Sequence, residues 1–169
     1  IRRVMDFSKP SEPKSVPTDI NHLIEEAIDF SSVTWRKSRI TLDKTLAENL
    51  PPCHADPHLI GQVILNLITN AAEAMRNMDG AKRMEIASSL EGSHIIVKVS
   101  DSGPGVPLHL KRRIFDPFFT TKNGSTGIGL SISHRIITDH GGALSVSTSK
   151  WGGAEFKVKI PIARGKRQE

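Results

Sequence analysis

Tyrosine is missing from the chain, cysteine occurs once, and no uninterrupted apolar run approaches the roughly 18 residues that a membrane span needs. The one thiol, Cys53, cannot close an internal disulfide and is too few for a cysteine-based metal site, which agrees with a reducing compartment and points to the cytoplasm. Residues Ile1 to Lys9 do not pair a charged stretch with a long apolar one, so no signal peptide is visible, and the missing initiator Met suggests an excised fragment. The net charge of +5 suits a polyanion. Lys and Arg are scattered, however, apart from Arg164-Gly165-Lys166-Arg167, and stacking aromatics are few, so nucleic acid is not the expected partner. A Walker loop is absent as well, because no Gly-Lys-Ser/Thr follows a glycine run at the required spacing.

What is present reads as one globular domain. The chain has 169 residues, and its 37% hydrophobic and 24% charged content is enough to bury a core of its own and leaves little for a second. Three prolines between Lys9 and Pro17 mark that segment as a linker after a short stub. Thr18 or Asp19 can cap a helix whose apolar positions Ile20, Leu23, Ile24, Ala27 and Ile28 fall at helical spacing. A strand is expected around Ile40 to Leu46, interrupted by Leu50-Pro51-Pro52, and a short one at Cys53 to Ala55.

Asp56 followed by Pro57 is a strong start for a helix running to about Asn77. Met84 to Leu90 and His94 to Asp101 read as paired strands around a Glu91-Gly92-Ser93 turn. A short helix over Leu108 to Phe115 and a longer one from about Thr126 to Asp139 precede strands at Ala143 to Thr148 and Glu155 to Ile162. Helices and strands alternate without a βαβ cadence, which predicts a two-layer α/β sandwich: a mixed sheet with helices on one face.

Four stretches carry chemistry. On the helix from Pro57, the residues Ile60, Val63, Ile64, Leu67, Ala71 and Met75 form the core stripe, while Asn66, Asn70 and Glu73 project together along its border. Amide oxygens there suit a hard cation such as magnesium, and the same pattern also suits a solvated face. Asp101-Ser102-Gly103-Pro104-Gly105-Val106 sets a carboxylate at a strand end, followed by glycines that let backbone approach a ligand; an adenine amine can supply a donor to that carboxylate, and an ordinary turn would look alike. Ile114-Phe115-Asp116-Pro117-Phe118-Phe119 holds three of the six phenylalanines ahead of a polar loop. Lys122, Thr126, Gly127, Ile128, Gly129 and Leu130 lead into a helix, whose first amides can face phosphate oxygens.

The order and spacing of these stretches resemble the catalytic and ATP-binding domain of sensor histidine kinases, within the superfamily of the gyrase ATPase subunit, the MutL repair proteins and heat-shock chaperones. The resemblance rests on an asparagine box (Asn66 to Ala71), a first glycine box (Asp101 to Gly105), a phenylalanine box (Phe115 to Phe119) and a second glycine box (Thr126 to Leu130). It implies a Bergerat-type ATP-binding fold, with a mixed, mainly antiparallel sheet over residues 18–162. It also implies ATP and Mg2+ as cofactors, Asn70 as the metal ligand, Asp101 as the adenine contact, and Gly103, Gly105 and Val106 lining the base.

Asn66 would assist near the metal and phosphates, Lys122 with the loop to Gly129 would form the lid, and Phe115, Phe118 and Phe119 would meet the helix bearing the phosphoacceptor histidine. Gly152-Gly153-Ala154 resembles a late glycine box. Glu73 stands where relatives often carry a basic or polar group, and Ser125 replaces a common glycine. None of the seven histidines stands in a phosphoacceptor context. Residues 1–8 resemble the end of a dimerisation helix, so the acceptor is expected on an upstream domain of a homodimeric two-component kinase, with a response regulator as partner; 163–169 would be a basic tail. A hydrolytic relative and a non-catalytic binding module are the alternatives. In hydrolytic relatives a Glu one turn before the metal-binding Asn activates water, and an amide at Asn66 has no useful basicity for that task.

Overall fold

The computed structural model describes residues 13–117, 119 and 129–163. Its elements follow from local signals in the chain. Helix α1 (Ile20–Lys37) starts where the Asp19 side chain accepts the His22 amide, ends with Arg36 and Lys37 at its negative pole, and buries Ile20, Leu23, Ile24, Ala27 and Ile28. Helix α2 (Pro57–Ala74) starts at Asp56, whose Oδ1 accepts the amides of His58 at 3.0 Å and Leu59 at 3.2 Å. Its stripe of Ile60, Val63, Ile64, Leu67, Ile68, Ala71 and Ala72 is buried, each large side chain contributing about 1.5–3 kcal/mol. The helix stops at Ala74 rather than near Asn77, because Met75 and Arg76 donate three residues back, to Ala72 and Glu73, and the last turn tightens.

Five strands make the main sheet, in the order β2 (Thr41–Thr45), β4 (Arg83–Glu91), β5 (His94–Asp101), β7 (Ala154–Pro161), β6 (Ala143–Thr148). The β2 and β4 pair is parallel and the others are antiparallel, so the sheet is mixed as expected. Met84, Ile86, Ile95, Val97, Val99, Phe156 and Val158 point to the helix layer and fuse with the stripes of α1, α2 and α3 (Gly129–Asp139) into one core. The other face alternates to charge: Arg83 pairs with Asp43, Lys150 with Glu85 and Lys157 with Glu91 at the surface, where such pairs contribute little stability but keep the face wet.

Three further local expectations differ from the structure. Val16–Thr18, at the end of the segment read as a linker, form β1 and pair with β3 (Cys53–Ala55). Pro17 is tolerated because this two-stranded ribbon does not need its missing donor. The segment read as a short helix over Leu108 to Phe115 is two separate 3-10 turns, Leu108–Leu110 and Arg113–Phe115, the first opened by Pro107. The last strand runs one residue earlier, Ala154–Pro161. Cys53 is fully buried and desolvation pushes its thiol up to about 11, so it is a protonated core side chain at neutral pH.

Candidate functional site

The end of β5 and the β6–β7 hairpin meet at Asp101, which is 1% exposed. Its Oδ1 accepts the Gly103 amide at 2.9 Å and the Ala154 amide at 3.2 Å, and its own carbonyl accepts the Ser149 hydroxyl at 2.6 Å. Ser149 in turn accepts the Gly153 amide at 3.0 Å, which closes the hairpin tip around the aspartate. Two glycines are required by contact. A Cβ on Gly153 would fall 2.2 Å from the Asp101 carbonyl oxygen, and a Cβ on Gly105, whose φ is +77°, would fall 3.0 Å from the Gly152 carbonyl. Gly103 packs against Ala74, one turn beyond Asn70, so the strand-end turn and the asparagine helix adjoin. Val106 is half-buried against the core beside this turn.

A second set lies between α2 and α3. Asn66 Nδ2 donates to Ser133 Oγ at 3.0 Å, and a Cβ on Gly129 would sit 2.7 Å from Asn66 Oδ1. The start of α3 therefore rests on the Asn66 amide. Asn66 and Asn70 are half-buried and Glu73 is exposed, all on one border of α2. Leu130 packs on the core beside them. Lys122, Thr126, Gly127, Ile128 and Phe118 lie outside the described residues.

The phenylalanines divide between packing and surface. Phe115 stacks on His134 with ring centroids 5.2 Å apart and meets Phe156 edge-on at 6.4 Å, so it anchors its segment to α3 and β7. Phe119 is half-buried beneath the Arg113 guanidinium, 5.0 Å from the ring centroid. A groove of about 500 Å³ next to Phe115 is lined by Lys111, Arg112, Asp116 and His134, and a larger one of about 680 Å³ runs between α1 and α2; neither includes Asn70 or Asp101.

Among the described residues no three His, Cys, Asp or Glu side chains cluster to hold a metal. The oxygen donors on the border of α2 fit magnesium better than a softer ion, since magnesium takes one or two protein oxygens and completes its shell with phosphate and water. Sequence reasoning named neither Ser149 nor Ser133. Ser149 carried a signal, a serine opening a hairpin turn whose hydroxyl can accept amides ahead of it. Ser133 carried a weaker one, a small polar residue one helical turn beyond Gly129.

A family model described as histidine kinase-, DNA gyrase B- and HSP90-like ATPase matches residues 55–164, the span that holds both sets. The chain belongs to this family. It is 34% identical over 162 residues to the signal transduction histidine-protein kinase AtoS of Escherichia coli strain K12, covering 96% of this chain and 26% of AtoS. It is 32% identical to the sensor histidine kinase ZraS of the same strain, covering 96% of this chain and 34% of ZraS. The chain thus spans about a quarter to a third of such relatives. The catalytic domain of histidine kinase ThkA superposes with a TM-score of 0.82 at 35% identity, covering 91% of this chain and 99% of that domain. Full-length ShkA, solved in complex with AMPPNP, matches at 0.79 and 28% identity, over 93% of this chain and 33% of ShkA. The fold is that of histidine kinase catalytic domains.

Proposed function

We propose that this domain binds ATP with magnesium and passes the γ-phosphoryl group to a histidine on an upstream dimerisation domain of a two-component sensor kinase. The observation that carries the reading is the amide at Asn66, tied to Ser133 and pressed against Gly129 on the helix that also bears Asn70. A base that activates water would have to stand at that position, and an amide cannot accept the proton at neutral pH. Transfer is then a matter of positioning.

Asp101, with Oδ1 oriented by two backbone amides, receives the adenine amine, and the turn through Gly103, Gly105 and Val106 lets the backbone lie against the base. Asn70 supplies the metal ligand, and magnesium neutralises charge on the phosphates when bound. Asn66 and the first amides of α3 orient the phosphate chain, and Lys122, Thr126, Gly127 and Ile128 are the residues that the family's lid motif assigns to it. An imidazole nitrogen of the acceptor attacks phosphorus in line; the bond from phosphorus to the bridging oxygen breaks, and ADP leaves with that electron pair.

The acceptor domain docks along the phenylalanine segment, meeting Phe118 and Phe119, with Phe115 as the segment's anchor. A response regulator then takes the phosphoryl group from the histidine; the histidine kinase ThkA has been solved in complex with the response regulator TrrA. The full-length protein is a homodimer acting at the cytoplasm. Titration with a nucleotide, with and without magnesium, tests the site: Asp101→Ala and Asn70→Ala should both weaken binding, and unchanged affinity in both sinks the reading.

A further inference from the structure

Helix α3 is held to the start of α2 at its far end as well, by a residue with no part in the nucleotide site. His140, just past the last turn of α3, has Nδ1 2.7 Å from the Ile136 carbonyl oxygen, and its Nε2 lies 3.1 Å from the Asp56 backbone nitrogen. A carbonyl can only accept and an amide N–H can only donate. The ring is therefore neutral, with its proton on Nδ1 and a bare Nε2 accepting from Asp56. The chain cannot shift easily beneath it, because a Cβ on Gly142, two residues on, would fall 2.1 Å from the Lys159 carbonyl oxygen. The two fastenings between the helices, His140 to Asp56 and Ser133 to Asn66, are ten residues apart along α2, or about 15 Å.

We infer that His140 is a positioning residue for nucleotide binding: as the neutral Nδ1–H tautomer it clamps the end of α3 to the start of α2, and so sets how Gly129 and Ser133 seat against Asn66. Proton uptake puts Nε2–H against the Asp56 N–H, donor against donor, and the clamp opens. Near this end of the packed elements stand the titratable and charged groups Asp56 and His58 at the start of α2, His54 on β3, Lys159 on β7 and Asp139 on α3 itself, with His134 and Arg135 further back on α3, Glu155 and Lys157 further along β7 and Glu73 at the far end of α2. Of these, the Asp56 carboxylate interacts electrostatically with the ring, while its oxygens are also held by the amides of Lys14, His58 and Leu59. It therefore offers the imidazolium a partner away from the backbone amide.

The inference rests on Asn66 belonging to the nucleotide site, and the experiment separates the two. Long-range proton–nitrogen correlation spectra of the histidine rings, recorded from about pH 8 to 5.5, report the tautomer and titration of His140, and the Asp56 amide reports the clamp. Calorimetry with Mg-ADP over the same range reports the site. The expected result is an Nδ1–H tautomer at pH 8, with the Asp56 amide moving at the same midpoint as the ring. Affinity should fall about fivefold relative to His140→Gln, the scale of one lost hydrogen bond. His140→Gln keeps an acceptor but cannot titrate; the phosphate titration of ADP is common to both proteins and cancels in the ratio.

His140→Leu should bind about fivefold more weakly than His140→Gln at every pH, and so match wild type only at the acid end. If it fails to fold, the wild-type spectra still decide. An Nε2–H tautomer, an Asp56 amide indifferent to the ring, or identical pH profiles for wild type and His140→Gln overturns the inference. Unchanged Mg-ADP affinity in Asn66→Ala overturns instead the reading of the site, whatever the His140 tautomer.

Discussion

The two halves of the site are held in different ways. At Asp101 the contacts are backbone amides, a buried hydroxyl and glycines pressed against carbonyls, contributed by β5, the turn after it and the β6–β7 hairpin. At Asn66 the contact is one side-chain bond between half-buried groups and a glycine resting on the end of an amide. Backbone contacts cannot be adjusted without moving the sheet, whereas an amide side chain can turn. On the proposed reading, the rigid half would hold the base in one place and the adjustable half would let the phosphate end rearrange, which would suit transfer of a phosphoryl group to a second domain.

The largest effect should come from breaking the rigid half. Asp101→Ala leaves the Gly103 and Ala154 amides without their acceptor, so stability should fall by about 3 kcal/mol in denaturant unfolding and nucleotide affinity by about 10- to 100-fold in calorimetry. Gly153→Ala comes next, costing about 2–3 kcal/mol, since its new methyl meets main-chain atoms that cannot yield. Gly152→Ala is its control: φ is +85° but the space is open, so about 1 kcal/mol of backbone strain is expected.

On the adjustable half, the nearest atoms that a methyl from Gly129→Ala would meet belong to the movable Asn66 amide. It should leave adenosine binding unchanged while weakening ATP about 3- to 10-fold, the scale of one lost hydrogen bond. A comparable loss for adenosine would erase the distinction between the halves.

The smallest effect is expected at Asp56, outside both. Desolvation pushes its carboxyl up, but the amides of Leu59, Lys14 and His58, with His140, outweigh that and hold it below the ordinary carboxylate range. With the folded value below the unfolded one of about 3.9, the contribution is complete above that pH and is lost as pH falls through the folded value. Asp56→Ala should cost about 1 kcal/mol at neutral pH, a gap that closes under acid in a pH series of unfolding curves.

Legibility of these features in the sequence follows the range of the contacts. Helix α2 could be read from Asp56-Pro57 and its apolar stripe, and Asp101 from the strand that it ends, because caps, stripes and strand ends are local. The pairings of Ser149, Ser133 and His140 could not. Their partners lie 48, 67 and 84 residues away, and nothing in periodicity foretells such pairings. The 3-10 turns around His109 and Ile114 were misread for another reason: their apolar spacing suits one helix, but the bonds run three residues back and break between Lys111 and Arg113. The strand at Val16–Thr18 was hidden by its own proline.

The most direct test of phosphoryl transfer follows the fate of γ-labelled ATP incubated with this chain, alone and with a histidine-bearing dimerisation domain added. The account predicts label on the added domain and slow release of free phosphate in both mixtures. Rapid release of free phosphate by the chain alone, at many turnovers per minute, would contradict it.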